Sequence, residues 1–267
     1  MKKFAVLGNP IDHSFSPQIH LEFARQSNIS IAYIKKFVPL DSFKQIIQEL
    51  KNDDFHGVNV TLPFKSDAAD IAHHKSKEVV ETNSANTLTF NNYDISAEST
   101  DGNGLLSDLE IKIGSIADSN VLLLGAGGAA NAIIPSIQKA KIKQLFLTNR
   151  TMSRANDMRQ FWSKNYNNIH LMENIDLNDI HIVINATSAG VSSDESPIDL
   201  ISANKNLICY DMMYGFKTPF IRLAEKSNLK CFDGLGMLIQ QAALSFYIWH
   251  KQKVDTKKIE VDLRSII

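Results

Sequence analysis

The chain has 267 residues, of which 44% are hydrophobic and 21% charged, with a net charge of -1. That length holds one large domain or two modest ones with sizeable cores, and the near-zero charge provides no field to draw in nucleic acid or an anionic membrane. No apolar run is long enough for a membrane-spanning helix, and the two cysteines, Cys209 and Cys231, follow neither a CxxC nor a zinc spacing, so both are expected to be reduced, buried thiols.

MKKFAVLGNP starts with a short apolar run that Gly8-Asn9-Pro10 cuts too short for a signal sequence; it reads as a first strand, and a cytoplasmic protein is expected. SPQIHLEFARQSN predicts a helix, with Ser16 as cap and Pro17 at the first helical position. IAYIKKFV is a strand, and DSFKQIIQELKN a helix capped by Asp41. GVNVT is a third strand, stopped by Pro63 just before Lys65. SDAADIAHHKSKEVVET is expected to be helical, and SANTLTF begins short strands or a hairpin. This half alternates β and α.

Gly102 and Gly104 suggest a flexible boundary near residues 100–106. Beyond it, NVLLLG, QLFLT, HIVIN and NLICYD are continuous apolar strands, the pattern of a parallel sheet covered on both faces. MSRANDMRQFWSKN and TPFIRLAEKSN are helices between them, LKCFDGLG is a strand into a glycine loop, and GMLIQQAALSFYIWHKQ is a final helix. The fold class is therefore α/β.

VLLLGAGGAANAI carries the strongest local motif. Gly125, Ala126, Gly127, Gly128 and Ala129 follow an apolar strand and open a helix, the setting of a dinucleotide fingerprint. The next strand ends in Asn149, Arg150 and Thr151, with Arg154 one turn on. A carboxylate for the ribose hydroxyls of NAD is missing there, while two guanidinium groups suit a 2′-phosphate, so NADP(H) is the expected cofactor. The bland alternative is a tight turn beside two solvated arginines. In the first half, Ser14 and Ser16 beside a helix start suit a carboxylate, and Thr61, Lys65, Asn86, Thr87 and Asp101 gather at strand and loop ends. Such a set suggests a small polyhydroxylated acid as substrate.

GNPIDHSFSP, GVNVTLPFK, SANTL, STDGNG, GAGGAA, NRT, NATSAG, DMMYG, TPF and DGLGMLIQQA, in this order over nearly the whole chain, resemble the shikimate dehydrogenase family. The resemblance implies two α/β domains, the second a Rossmann-type dinucleotide-binding domain, with the active site in the cleft between them. The expected division is 1–101 plus 237–267 for substrate and catalysis, and 102–236 for NADP. It implies reversible NADPH-dependent reduction of 3-dehydroshikimate to shikimate, on the route to chorismate and the aromatic amino acids. By position, it makes Lys65 and Asp101 the catalytic pair, and Ser14, Ser16, Thr61, Asn86, Tyr214 and Gln241 the substrate residues. Met212, Gly234 and Met237 would lie near the nicotinamide. Departures from the usual pattern are Ser99 in place of asparagine, Asn131 where an arginine often follows the glycine turn, Leu21 in place of asparagine, and Gly215-Phe216-Lys217 after Tyr214.

Hydride transfer to a ketone builds charge on its oxygen, and something must supply a proton. The adjacent histidines His73 and His74 would face apart on a helix and form no metal motif, so no metal is expected. Lys65 is then the expected acid, held by Asp101; the bland alternative for the pair is a structural salt bridge. A paralogue acting on quinate or an amino-substituted ring acid, and a non-catalytic NADP-binding regulator, are the rival readings. Oligomeric state is not legible, and a homodimer is one open option.

Overall fold

The protein is described here by a computed structural model covering residues 1–190, 194–200 and 203–266. In chain order the elements are β1 (Lys2–Gly8), α1 (Ser16–Gln26), β2 (Ile31–Phe37), α2 (Phe43–Asn52), β3 (Phe55–Val60), α3 (Lys65–Asp70), β4 (His74–Lys75), α4 (Lys77–Thr82), β5 (Thr87–Asn91) and β6 (Asp94–Glu98). They continue with α5 (Asp101–Ile113), β7 (Asn120–Leu124), α6 (Gly128–Lys139), β8 (Gln144–Thr148), α7 (Met152–Trp162), β9 (Ile169–Leu171) and β10 (Ile182–Asn185). The last are β11 (Ile208–Asp211), α8 (Pro219–Lys226), β12 (Lys230–Phe232), α9 (Leu235–His250) and α10 (Lys257–Arg264). The chain divides into two compact units, one of Met1–Gly104 with Leu238–Ile266, the other of Leu105–Met237.

The sheet of the first unit has the order β2-β1-β3-β5-β6-β4. Its β1, β2 and β3 are parallel, whereas β5 runs antiparallel to both β3 and β6. Strand side chains alternate between faces. Ala5, Leu7, Val58 and Val60 pack with Phe43, Ile47, Leu50 and Phe64 on one side. On the other side Phe4 stacks on Trp249 of α9, and His20 of α1 stacks on Tyr33.

The second sheet has the order β12-β11-β10-β7-β8-β9, with every neighbouring pair parallel. The strand order reverses at β7, as in dinucleotide-binding sheets, whose ligands lie beyond the carboxyl ends of the strands at that switch. Val121, Leu123, Ile182, Ile184 and Leu147 meet α5, α6 and α7 on one face. Leu122, Leu124, Val183 and Cys209 meet Phe220, Ile221 and Ala224 of α8 on the other. That two-sided burial explains the unbroken apolar strands.

Several local expectations are corrected. The segment 66–82 is not one helix: α3 and α4 are separated by the two-residue strand β4, where His74 pairs with Asp94 at 3.3 Å, so His73 and His74 are not helical. Neither Asp41 nor Ser16 is a helix cap. Ser42 precedes α2 and Phe15 precedes α1, both without a side-chain cap bond. Gly102 and Gly104 lie inside α5 and not in a loop. A Cβ on Gly104 would stand 2.7 Å from Gln241 Cβ and 2.8 Å from its backbone nitrogen, so glycine is there to let α9 approach. Cys209 is buried and Cys231 only half-buried; both are free.

Candidate active site

β3, α3 and the start of α5 bring the polar groups of the first unit together. Lys65 begins α3 and Asp101 begins α5. Lys65 Nζ donates to Asp101 Oδ2 at 2.7 Å, with 23% and 10% of the two side chains exposed. A carboxylate is well placed at the start of α5, where the helix dipole favours negative charge. Largely sheltered from water, the pair interacts more strongly than one on an open surface.

Asn86 sits just before β5 and reaches three ways. Its Nδ2 lies 3.1 Å from Asp101 Oδ1, 3.0 Å from Gln241 Oε1 and 2.8 Å from Thr100 Oγ1. Lys65, Asp101, Asn86 and Gln241 thus form one hydrogen-bonded constellation. Ser14 and Ser16 form another pair: their hydroxyls are 3.1 Å apart, and the Ser16 N–H donates to Ser14 Oγ at 3.3 Å. Thr61 is half-buried on the loop after β3, and its side chain joins none of the described hydrogen bonds of that constellation.

Three further polar residues escaped the sequence reading as site residues. Asn59, Thr100 and Ser245 are buried beside Asn86 and Thr87. Asn59 faces Thr87 in the β3–β5 register and donates to Asn86 O at 3.0 Å and to Ser245 Oγ at 3.0 Å. The available signal was the spacing of Gln241 and Ser245, four apart on the otherwise apolar inner face of α9, hence on one side of the helix.

In the second unit, Gly125 follows β7 with a φ of +108, a conformation that suits glycine. α6 starts at Gly128 with no side-chain cap, and Asn131 N–H is the first to find a carbonyl, that of Gly127. A Cβ on Gly127 or Gly128 would meet only open space, so bare backbone N–H groups there leave room for a phosphate, with Ala126 and Ala129 half-buried beside them. Asn149 donates to the Thr151 carbonyl at 2.9 Å, shaping the turn into α7. Arg150 and Arg154 are exposed and pair with no carboxylate among the described residues. This donor set fits a dinucleotide carrying an extra phosphate.

Tyr214 is half-buried on the loop after β11, and burial pushes its phenol above the ordinary value. Met212 begins the same loop, Gly234 lies against the Met212 carbonyl, and Met237 is in the core of this unit. The departure at Asn131 has a structural reason: its Oδ1 accepts from Trp162 Nε1 at 2.8 Å, tying α6 to the end of α7.

Family models match three parts of the chain. They are the shikimate dehydrogenase substrate binding domain over residues 6–88, shikimate / quinate 5-dehydrogenase over 108–195, and the shikimate 5'-dehydrogenase C-terminal domain over 234–260. Shikimate dehydrogenase (NADP(+)) of Vesicomyosocius okutanii subsp. Calyptogena okutanii (strain HA) is 41% identical over 267 residues, 99% of this chain and 100% of that protein. Among solved structures, an Ael1 enzyme from Pseudomonas putida is 33% identical with a TM-score of 0.88, covering 98% of both chains. Shikimate 5-dehydrogenase from Thermus thermophilus, solved in complex with NADP(H) and shikimate, is 28% identical with a TM-score of 0.90 over 100% of both chains. Among the described residues, no helix is long and apolar enough to cross a membrane. On these matches, which run the length of the chain, the protein belongs to the shikimate dehydrogenase family.

Proposed function

We propose that the chain catalyses the reversible reduction of 3-dehydroshikimate to shikimate with NADPH. The observation that carries this reading is the sheltered Lys65–Asp101 pair, 2.7 Å apart and joined through Asn86 to Gln241. The unit of Met1–Gly104 with Leu238–Ile266 is assigned the ring acid, and the unit of Leu105–Met237 the dinucleotide.

Ser14 and Ser16 hold the substrate carboxylate with their hydroxyls, while Thr61, Asn86, Gln241 and Tyr214 face the ring and its hydroxyls. The glycine turn at Gly125–Gly128 holds the pyrophosphate, Asn149, Arg150, Thr151 and Arg154 the adenosine end, and Met212, Gly234 and Met237 the nicotinamide end. When bound, NADPH supplies the hydride that the reduction needs. As the ketone oxygen gains charge, Lys65 Nζ–H stabilises it and gives it a proton, forming the hydroxyl. Asp101 holds the ammonium in place and offsets its charge. In the oxidation direction the neutral amine takes the hydroxyl proton back.

The test mixes the protein with shikimate and NADP and follows NADPH absorbance, with quinate and NAD run in parallel. Turnover of shikimate with NADP is expected to exceed every other combination. Clear NADP binding without turnover of either ring acid would leave a non-catalytic regulator instead.

A further inference from the structure

Asn185 and Asp211 end two neighbouring parallel strands, β10 and β11, and face each other in register at the carboxyl ends of both. Each is fully buried, and the mechanism above uses neither. A buried carboxylate is costly unless hydrogen-bonded, and Asp211 has three donors around it. Asn185 Nδ2 donates to Oδ2 at 3.1 Å, the Thr218 hydroxyl to Oδ2 at 2.6 Å, and the Met213 backbone N–H to Oδ1 at 3.0 Å. Asn185 is held the right way round for this, because its Oδ1 accepts the Thr187 backbone N–H at 3.0 Å and the Thr187 hydroxyl at 2.7 Å. The Thr218 oxygen accepts in turn from the Ile221 N–H at 3.2 Å and caps α8. Burial raises the Asp211 carboxyl above its ordinary value, and the three donors draw it back.

The contact to Met213 is the one that reaches the site. The Met213 N–H goes to Asp211, and the Met213 carbonyl accepts from the Gly234 N–H at 2.9 Å. The residue before it is tied through the backbone, with the Met212 N–H donating to the Asn185 carbonyl at 2.9 Å. Gly234 presses on the Met212 carbonyl so closely that an added Cβ would collide with it. Met212, Tyr214 and Gly234 are thus each a chain neighbour or a hydrogen-bond partner of Met213.

We propose that Asp211 is a positioning residue for hydride transfer: by holding the Met213 N–H, its buried carboxylate fixes the Met212–Tyr214 turn against Gly234 and so shapes the nicotinamide end of the site. At 0% exposure it is out of reach of substrate and cofactor and acts through Met213. This rests on Met212, Tyr214 and Gly234 lining the site, as in the reading above. Without the carboxylate the Met213 N–H loses its described acceptor, and the turn is tied only by the Met212 N–H and the Met213 carbonyl.

The experiment compares wild type with Asp211→Ala. Amide hydrogen exchange on the ligand-free protein reads the anchor. Calorimetric titration with 2′-phospho-ADP-ribose, which is NADP without its nicotinamide, reads the rest of the dinucleotide site. Single-turnover NADPH formation from shikimate reads the positioning. In Asp211→Ala the Met213 amide is expected to exchange at least about tenfold faster, as for a lost buried hydrogen bond. Affinity for 2′-phospho-ADP-ribose is expected to stay within about twofold, and the single-turnover rate to fall about tenfold to a hundredfold, the cost of a misplaced reactant. Should Asp211→Ala not fold, Asp211→Asn carries the same expectations, because an amide has a single accepting oxygen for donors on both sides. Unchanged exchange at Met213 overturns the proposal, and so does a normal single-turnover rate. Loss of 2′-phospho-ADP-ribose affinity as large as the loss of rate overturns it too, since a generally loosened unit would give that result. A wild type that binds 2′-phospho-ADP-ribose but oxidises no shikimate overturns the underlying reading and this proposal with it, whereas an active wild type with an equally active Asp211→Ala overturns the proposal alone.

Discussion

Lys65 Nζ lies 2.7 Å from Asp101 Oδ2, although the two residues are 36 apart in sequence and begin different helices. The pairing places an ammonium beside a carboxylate that Asn86 also holds, so neither charge is left to itself. Asp101→Asn keeps the shape and one acceptor oxygen but removes the charge. It is expected to lower kcat about a hundredfold, the range of a disturbed general acid, with NADP affinity unchanged. Stopped-flow rates with calorimetric NADP binding check this; an unaltered kcat would reduce the pair to a structural salt bridge.

Arg150 and Arg154 flank the start of α7 and have no described carboxylate partner. A free guanidinium at this end of a helix is slightly unfavourable unless an anion joins it. Arg150→Ala is expected to raise the NADP KM about tenfold, as for loss of a charge-assisted hydrogen bond, and to change that for NAD by less than about threefold. Equal losses for both dinucleotides would show that the arginine does not read the 2′-phosphate.

His20 is buried against Tyr33, Phe23, Phe246 and Trp249. Burial, and then the nearby His250, hold it down from 6.5 to about 3, while the polar side chain of Asn59 opposes the shift. Burial also lowers His250, to about 4. The unfolded chain therefore binds more protons than the folded one between these values and 6.5. Stability is full above pH 6.5 and falls as the pH drops through the window, by up to about 1.4 kcal/mol per pH unit for the buried His20 and by less for the half-exposed His250. His20→Phe keeps a ring and removes one such proton. Urea midpoints at about pH 7.5 and about pH 5 should differ less in that variant than in wild type. An equal difference would count against His20 as a source of acid sensitivity.

Gly104 touches the backbone of Gln241, where an added Cβ would collide with backbone as well as side chain. Gly104→Ala is expected to destabilise the protein by roughly 1–3 kcal/mol, the usual cost of overpacking, despite the better helix propensity of alanine. Because α9 carries Gln241, the shikimate KM should rise as well. Thermal unfolding and steady-state rates report both; a stabilised variant with normal KM would show that α9 shifts at no cost.

The glycine turn and strands β7, β8, β10 and β11 were legible because burial on both faces demands unbroken apolar runs, and the turn demands glycine at Gly125. Strands β4 and β9 were not, since two or three residues carry no period. The helical setting of Gly102 and Gly104 was not legible, and neither was the close approach of α9 at Gly104, because a sequence cannot distinguish a loop glycine from one that admits a neighbouring helix. Arg150 and Arg154 could be singled out from the missing carboxylate at the strand end alone. The hydroxyls of Thr100 and Ser245 could not, because their partners come from β3, the loop before β5 and α9, and meet only in the folded chain.

β3 ends at Val60, Pro63 lies in the turn that follows, and Lys65 opens α3 with its amine beside Asp101. The most direct measurement is the initial rate of shikimate-dependent NADPH formation by wild type and Lys65→Ala side by side, with NADP binding measured on both. Wild type is expected to show a readily measured rate, and Lys65→Ala a fall of about a hundredfold to ten-thousandfold in kcat with equal NADP affinity. A Lys65→Ala protein that turns over shikimate at a near-normal rate would contradict the role of Lys65 as proton donor.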